Sequence, residues 1–183
     1  MPDLALHILD LIENSIRAGA SVISLTFEEN IQKDVLIITV ENNSPGPVLT
    51  TDEPVKNFSE ANKSGNRMEH NGLCLFRADA EQAGGNLEVD ESELGGTLIR
   101  VTMRLSHIDR CPFGDLAAAL SSIVCTNPFL DVWLRFRAGD QEYAMRVEEV
   151  VRELRLGGLS GLTVARRVRE KIKTALTSLK IEP

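Results

Sequence analysis

Apolar residues at Leu4, Ile8, Leu11, Ile12 and Ile16 recur at helical spacing, with Asp3 placed to cap the start and Gly19 to end it, which predicts an amphipathic helix over 4–17. Its other face carries His7, Asp10 and Asn14 at offsets of three and four, so these side chains line one stripe. Val22–Phe27 and Val35–Val40 then alternate and are rich in β-branched residues, which reads as two antiparallel strands joined through the polar stretch 28–34. Periodicity disappears over Glu41–Gly72, a segment broken by Pro45, Gly46, Pro47, Pro54 and Gly65. A loop of roughly thirty residues is rare inside a compact domain, and such loops serve as lids or binding loops. Helical spacing resumes over 73–83, with Leu75, Phe76, Ala80 and Ala83 inward and Gly84-Gly85 as the stop; strands at 86–90 and 97–105 flank a turn at 91–96.

Helix, two strands, long loop, helix and two strands predict an α+β fold: a two-layer α/β sandwich whose mixed, mainly antiparallel sheet carries helices on one face. The pattern changes after Ser106, where Cys111-Pro112 and Gly114-Asp115 precede a helix at 116–124. A hairpin (131–137 with 142–147), a helix at 148–156 and a terminal helix at 163–179 follow. The expected organisation is a domain over 1–106, with a lid loop at 43–72, and a small α/β C-terminal module over 107–183.

Composition narrows the chemistry. Of 183 residues 43% are hydrophobic and 26% charged, and no apolar run approaches the ~20 residues of a membrane-spanning helix. The N-terminus lacks the features of a secretory signal, so a cytoplasmic protein is expected, with no membrane partner. The net charge of -7 is uneven: residues 1–105 hold 8 basic and 17 acidic side chains, residues 106–183 hold 12 and 10. Cys74, Cys111 and Cys125 lack paired spacing, and no two of His7, His70 and His107 stand at i, i+4. Reduced, packed thiols and no transition metal are the expectation. Arg166, Arg167, Arg169, Lys171 and Lys173 share the terminal helix with an apolar stripe, which reads as a packed helix with a solvated face or as a dock for an acidic partner. An isoelectric point near 5.1 and few aromatics speak against nucleic acid.

The helix segment Leu9-Asp10-Leu11-Ile12-Glu13-Asn14-Ser15-Ile16-Arg17-Ala18-Gly19-Ala20 resembles the N-box of the GHKL (Bergerat-fold) superfamily, which includes gyrase, heat-shock chaperones, mismatch-repair ATPases and sensor histidine kinases. Val40–Pro47 stands in the place of its G1 box, Gly72-Leu73-Cys74-Leu75 in that of its G2 box, and Gly95-Gly96-Thr97 at its last glycine-rich turn. Leu4-Ala5-Leu6-His7-Ile8-Leu9-Asp10 and the stretch 105–116 are further similar to stand-alone histidine-kinase-like ATP-binding proteins of anaerobic bacteria, so the likeness covers essentially the whole chain. The resemblance implies an ATP-binding sandwich with a lid over the phosphates and Mg²⁺ as companion ion. It puts Asn14 as the metal ligand, Asp10 as general base with Glu13 as an alternative acid, and Asn42, Ser44, Gly46, Gly72, Cys74 and Thr97 along the nucleotide. Lys63, with Arg67 and Lys56, is a lid cation for phosphate or a solvated charge. Asp10 and Asn14 read equally, without the family, as a solvated helix face.

Departures from the family pattern bear on activity. Asn42 replaces the adenine-reading aspartate, Ser44 the first G1 glycine and Cys74 the second G2 glycine. A neutral amide acceptor binds more weakly than a carboxylate, and a side chain at 74 crowds the phosphates or packs as a small hydrophobe. No Walker A or dinucleotide fingerprint is present, and only nine residues precede Asp10, so a self-contained sensor kinase is not expected. Three readings follow: an ATP-binding regulatory protein with weak or no turnover and a protein partner, a pseudo-ATPase scaffold that no longer binds nucleotide, and a serine protein kinase of the anti-sigma type.

Overall fold

The computed structural model of the chain describes residues 3–45, 69–155 and 161–181. Gly46, Lys63 and most of the expected lid 43–72 lie outside the described residues. Elements follow in the order α1 (Leu4–Arg17), β1 (Val22–Asn30), β2 (Val35–Asn42), α2 (Glu69–Gln82), β3 (Asn86–Glu91), β4 (Thr97–Arg104), α3 (Leu116–Thr126), β5 (Asp131–Ala138), β6 (Gln141–Arg146), α4 (Val147–Arg155) and α5 (Gly161–Leu179). The strands form one sheet in the order β3-β4-β2-β1-β5-β6. Its pairs are antiparallel except β1 with β5, which run parallel over eight residue pairs from Val22↔Asp131 to Glu29↔Ala138.

Strand alternation decides which face is covered. Leu25, Val40, Ile99 and Leu134 stand side by side across four strands and are all buried, while Ser24, Thr26 and Glu28 on the opposite face of β1 are only half-buried. The helices cover the apolar face, α1 and α2 over the β2–β4–β3 side and α5 over β5 and β6. This is the two-layer, mainly antiparallel α+β sandwich expected from the sequence.

The structure differs from the sequence reading in places: Leu75, expected inward with Phe76, Ala80 and Ala83, is 58% exposed on α2. The helix expected at 73–83 begins at Glu69, because its first turn, Glu69-His70-Asn71-Gly72, is polar and carries no apolar periodicity. Residues 107–181, expected as a small α/β module, add β5 and β6 to the edge of the sheet, and Phe113, Leu116, Phe136 and Ile172 belong to the same buried cluster as Ile8, Phe27 and Phe76. The change of pattern near residue 107 marks a crossover between strands that share one core.

The entry into α1 is tied to that crossover. Asp3 caps the helix by accepting from the Leu6 N–H at 2.8 Å, and the next orphan donors, the N–H groups of Leu4 and Ala5, reach the carbonyls of Pro112 and Phe113 at 2.9 and 3.0 Å. The helix carrying His7, Asp10 and Asn14 therefore starts from a fixed point.

Candidate functional site

Amphipathic packing of α1 on the sheet leaves the stripe of His7, Asp10 and Asn14 along its flank toward α2. Asp10 is half-buried, and its Oδ2 has no hydrogen-bond partner among the described residues. Gly72, the fourth residue of α2, faces this carboxylate: a Cβ at position 72 would stand 1.6 Å from Asp10 Oδ2 and 2.7 Å from Asp10 Cγ. The carboxylate lies against the first turn of α2 only because residue 72 has no side chain. The first N–H groups of a helix lack intrahelical acceptors and give this end partial positive charge, so α1 presents an unpartnered carboxylate oxygen, and α2 a polar backbone, to one small region.

Asn14 is half-buried one turn further along α1, and its Oδ1 accepts a hydrogen bond from the Arg17 guanidinium. Glu13 is exposed. Cys74 is half-buried and stands two residues beyond Gly72, which turns it to a different face of α2 from the one that meets Asp10. The buried thiol is Cys111 instead, where burial first and the neighbouring Asp79 second push its pKa up to about 11.

A second group gathers where β2 ends. Asn42, the last residue of β2, is buried, and its Oδ1 accepts from the Ser44 N–H at 3.0 Å, the Ser44 hydroxyl at 2.8 Å and the Thr97 N–H at 3.3 Å. Its Nδ2 donates to Ser15 Oγ at 2.9 Å, and that hydroxyl donates to the Leu11 carbonyl at 2.9 Å. Two backbone N–H donors fix which end of the Asn42 amide is the oxygen. The acceptor expected to meet an adenine amine is thus already engaged by three donors. Gly96 closes the group from β4's side: a Cβ there would meet Asn42 Oδ1 at 2.5 Å, and the Asn42 carbonyl and Ser44 N at 2.6 Å.

The structure thus joins Asn42, Ser44 and Thr97 in one network, and Asp10 with Gly72 in another. Ser15 and Gly96 had no assigned role in the expected site, yet both hold Asn42 in place; their sequence signal is that they lie inside the segments 9–20 and 95–97 that carry the family resemblance. Two clefts elsewhere, about 430 Å³ between α3, α4 and α5 and about 440 Å³ on the open sheet face around Trp133 and Glu41, are lined by none of these residues.

Helix, glycine turns and polar termini come in the order that the N-box resemblance requires, and comparison with family models decides the assignment: residues 2–107 match the histidine kinase-, DNA gyrase B- and HSP90-like ATPase model. The chain belongs to this family. As a histidine-kinase-like ATPase domain it carries the family's implication of ATP binding, usually with Mg²⁺. No curated protein matches the chain. No helix among the described residues is long and apolar enough to cross a membrane.

Proposed function

We propose that the chain is an ATP-binding regulatory module whose nucleotide binding depends on Mg²⁺ and whose turnover is weak or absent. The observation that carries this reading is the Asp10 carboxylate oxygen, without a partner among the described residues, against the first turn of α2 and on the same stripe as Asn14. Hard oxygen donors of this kind suit Mg²⁺, and a glycine-bearing helix start suits phosphate. Asn14 Oδ1 and the Asp10 carboxylate would hold the ion, directly or through water, with the Arg17 guanidinium occupying one of the two acceptor positions of Asn14 Oδ1. When bound, Mg²⁺ neutralises phosphate charge. Asp10 Oδ2 is free to take a proton from a water, but aspartate is one methylene shorter than the glutamate that hydrolysing relatives use, and this reduces its reach.

Titration calorimetry with ATP and ADP, with and without Mg²⁺, tests the reading. Mg²⁺-dependent binding is expected, weakened by about a hundredfold in Asn14→Ala, the roughly 2.7 kcal/mol of a lost partner to a charged group. Absence of wild-type binding at millimolar nucleotide would overturn it.

A second reading, a scaffold that has lost nucleotide binding, is favoured by the saturated Asn42 oxygen. Asn42→Asp separates the two. A carboxylate has about four acceptor positions where the amide oxygen has two; Oδ1 keeps the Ser44 and Thr97 donors, the second oxygen takes the Ser15 hydroxyl proton in place of the Leu11 carbonyl, and one position on it is left for an adenine amine. ATP affinity is expected to rise by about tenfold if the site is open, the difference between a neutral and a charged hydrogen bond. Affinity that stays immeasurable in Asn42→Asp supports the scaffold.

A further inference from the structure

His7, on α1's first turns, Asp79, on α2, and Cys111, in the crossover between β4 and α3, converge although they are far apart in the chain. One ligand atom from each lies within 4.8 Å of the other two, and His7 Nε2 stands 2.7 Å from Asp79 Oδ2. His7 is 6% exposed and Cys111 2%, and only the Asp79 side chain opens to solvent, at 26%.

Each group is held by its surroundings. The His7 ring stacks on Phe76 at a centroid distance of 4.5 Å and an interplanar angle of 3°. Phe76 is buried one turn before Asp79 on the same helix, so the face that aims the imidazole also carries the carboxylate. Cys111 sits between two anchors: the carbonyls of Pro112 and Phe113 accept from α1's first turn, and the Arg110 guanidinium donates to the carbonyls of Leu105 and Cys111 at 2.9 and 3.3 Å.

We propose that His7, Asp79 and Cys111 form a binding site for a divalent transition-metal ion of the zinc class, separate from the Mg²⁺–nucleotide reading and independent of it. Sulfur, imidazole nitrogen and one carboxylate oxygen make a borderline-soft donor set that favours zinc or cobalt over magnesium or calcium. Metal–ligand bonds of about 2.0–2.3 Å in a tetrahedron place ligand atoms roughly 3.4 Å apart. The 2.7 Å His7–Asp79 contact therefore opens by about 0.7 Å to admit the ion. A thiolate, a carboxylate and a neutral imidazole balance a divalent charge, the condition under which an interior tolerates an ion. The ion takes the place of the thiol proton, which leaves to solvent. A fourth position faces the solvent-open side of Asp79 and takes water.

Spacing arguments about histidines on one helix gave no hint of this site, because its three ligands come from three elements that the fold brings together. A bound ion would clip α1, α2 and the crossover at one point, one helical turn before Asp10.

The full-length protein, freed of metal with a chelator and dialysed, is titrated with Co²⁺ alone and followed by absorption. One equivalent is expected to bind with a thiolate-to-cobalt charge-transfer band and the strong visible bands of four-coordinate cobalt, to be displaced by Zn²⁺, and to raise the thermal midpoint. The charge-transfer band is expected to vanish in Cys111→Ser and to persist in Cys74→Ser and Cys125→Ser. Asp79→Asn, at the open edge of the site, keeps the fold and weakens Co²⁺ by tenfold or more, which decides the matter should Cys111→Ser fail to fold. Failure of the wild-type chain to bind Co²⁺ or Zn²⁺ at tens of micromolar, a thiolate band that survives in folded Cys111→Ser, or unchanged affinity in Asp79→Asn overturns the proposal.

Discussion

Replacing Phe27 with alanine is expected to destabilise the entire chain by about 3–5 kcal/mol and to lower its thermal midpoint by roughly 10 °C, in a single transition. Phe27 is 1% exposed on β1, the strand that pairs with β2 on one side and β5 on the other. Its ring stacks on Phe136 of β5 at 5.5 Å and leans on Phe113 of the crossover at 6.1 Å. Truncation therefore opens a cavity at the junction between the family-matched residues 2–107 and the rest. The single tryptophan, Trp133, lies on β5 beside Ser24 of β1 and reports on the seam between the two parts, whereas far-ultraviolet circular dichroism reports on the whole chain. Coincident curves from the two probes are expected, because one core melts as one unit. A Trp133 transition that parts from the dichroism would mean that the two parts do not melt as one unit. Phe129→Ala is the control: that ring is 95% exposed and its loss is expected to change stability by no more than about 0.5 kcal/mol.

The same junction shows what sequence patterning reaches and where it stops. Period-two alternation in 22–27 and 131–137 identifies strands and their buried faces, because side-chain direction is a local property of the backbone. It does not name neighbours, and so the parallel pairing of β1 with β5 was illegible, although it sets how the last 70-odd residues attach. The start of α2 was hidden for another reason: the sequence Glu69-His70-Asn71-Gly72 is polar and carries no apolar periodicity. For the candidate site, motif register singled out Asp10, Asn14, Asn42, Ser44, Gly72 and Thr97, together with Glu13, Gly46, Lys63 and Cys74. It said nothing of how their atoms are spent. That Asn42 Oδ1 turns inward to Ser44 and Thr97, and that Asp10 Oδ2 is left without a donor among the described residues, depend on distances between elements that no single segment encodes.

Gly96→Ala is expected to cost about 3 kcal/mol, at the upper end for overpacking, and to weaken nucleotide binding with it if the proposed site is correct. The added methyl would lie 2.5–2.6 Å from Asn42 Oδ1, the Asn42 carbonyl and Ser44 N, and two of these three atoms are backbone. Backbone cannot rotate away as a side-chain end does, so relief requires the end of β2 to part from the start of β4, which also breaks the Thr97 N–H to Asn42 bond. Gly72→Ala makes an instructive contrast, because there the methyl meets only the mobile end of the Asp10 side chain; a smaller loss of stability is expected, with Asp10 displaced from the first turn of α2. The neighbouring Gly95 isolates the other reason for glycine. A Cβ at 95 meets nothing within 4 Å, yet φ is +93°, so Gly95→Ala pays only for an unfavourable backbone region, about 1–2 kcal/mol. Denaturant melts of the two variants are expected to rank Gly96→Ala below Gly95→Ala, and calorimetry to find ATP affinity reduced in Gly96→Ala by more than its neighbour. Equal stability of the two would show that β2 and β4 separate at little cost at this end. The Asn42 network would then be a loose lining of the site, not the wedge that fixes its width.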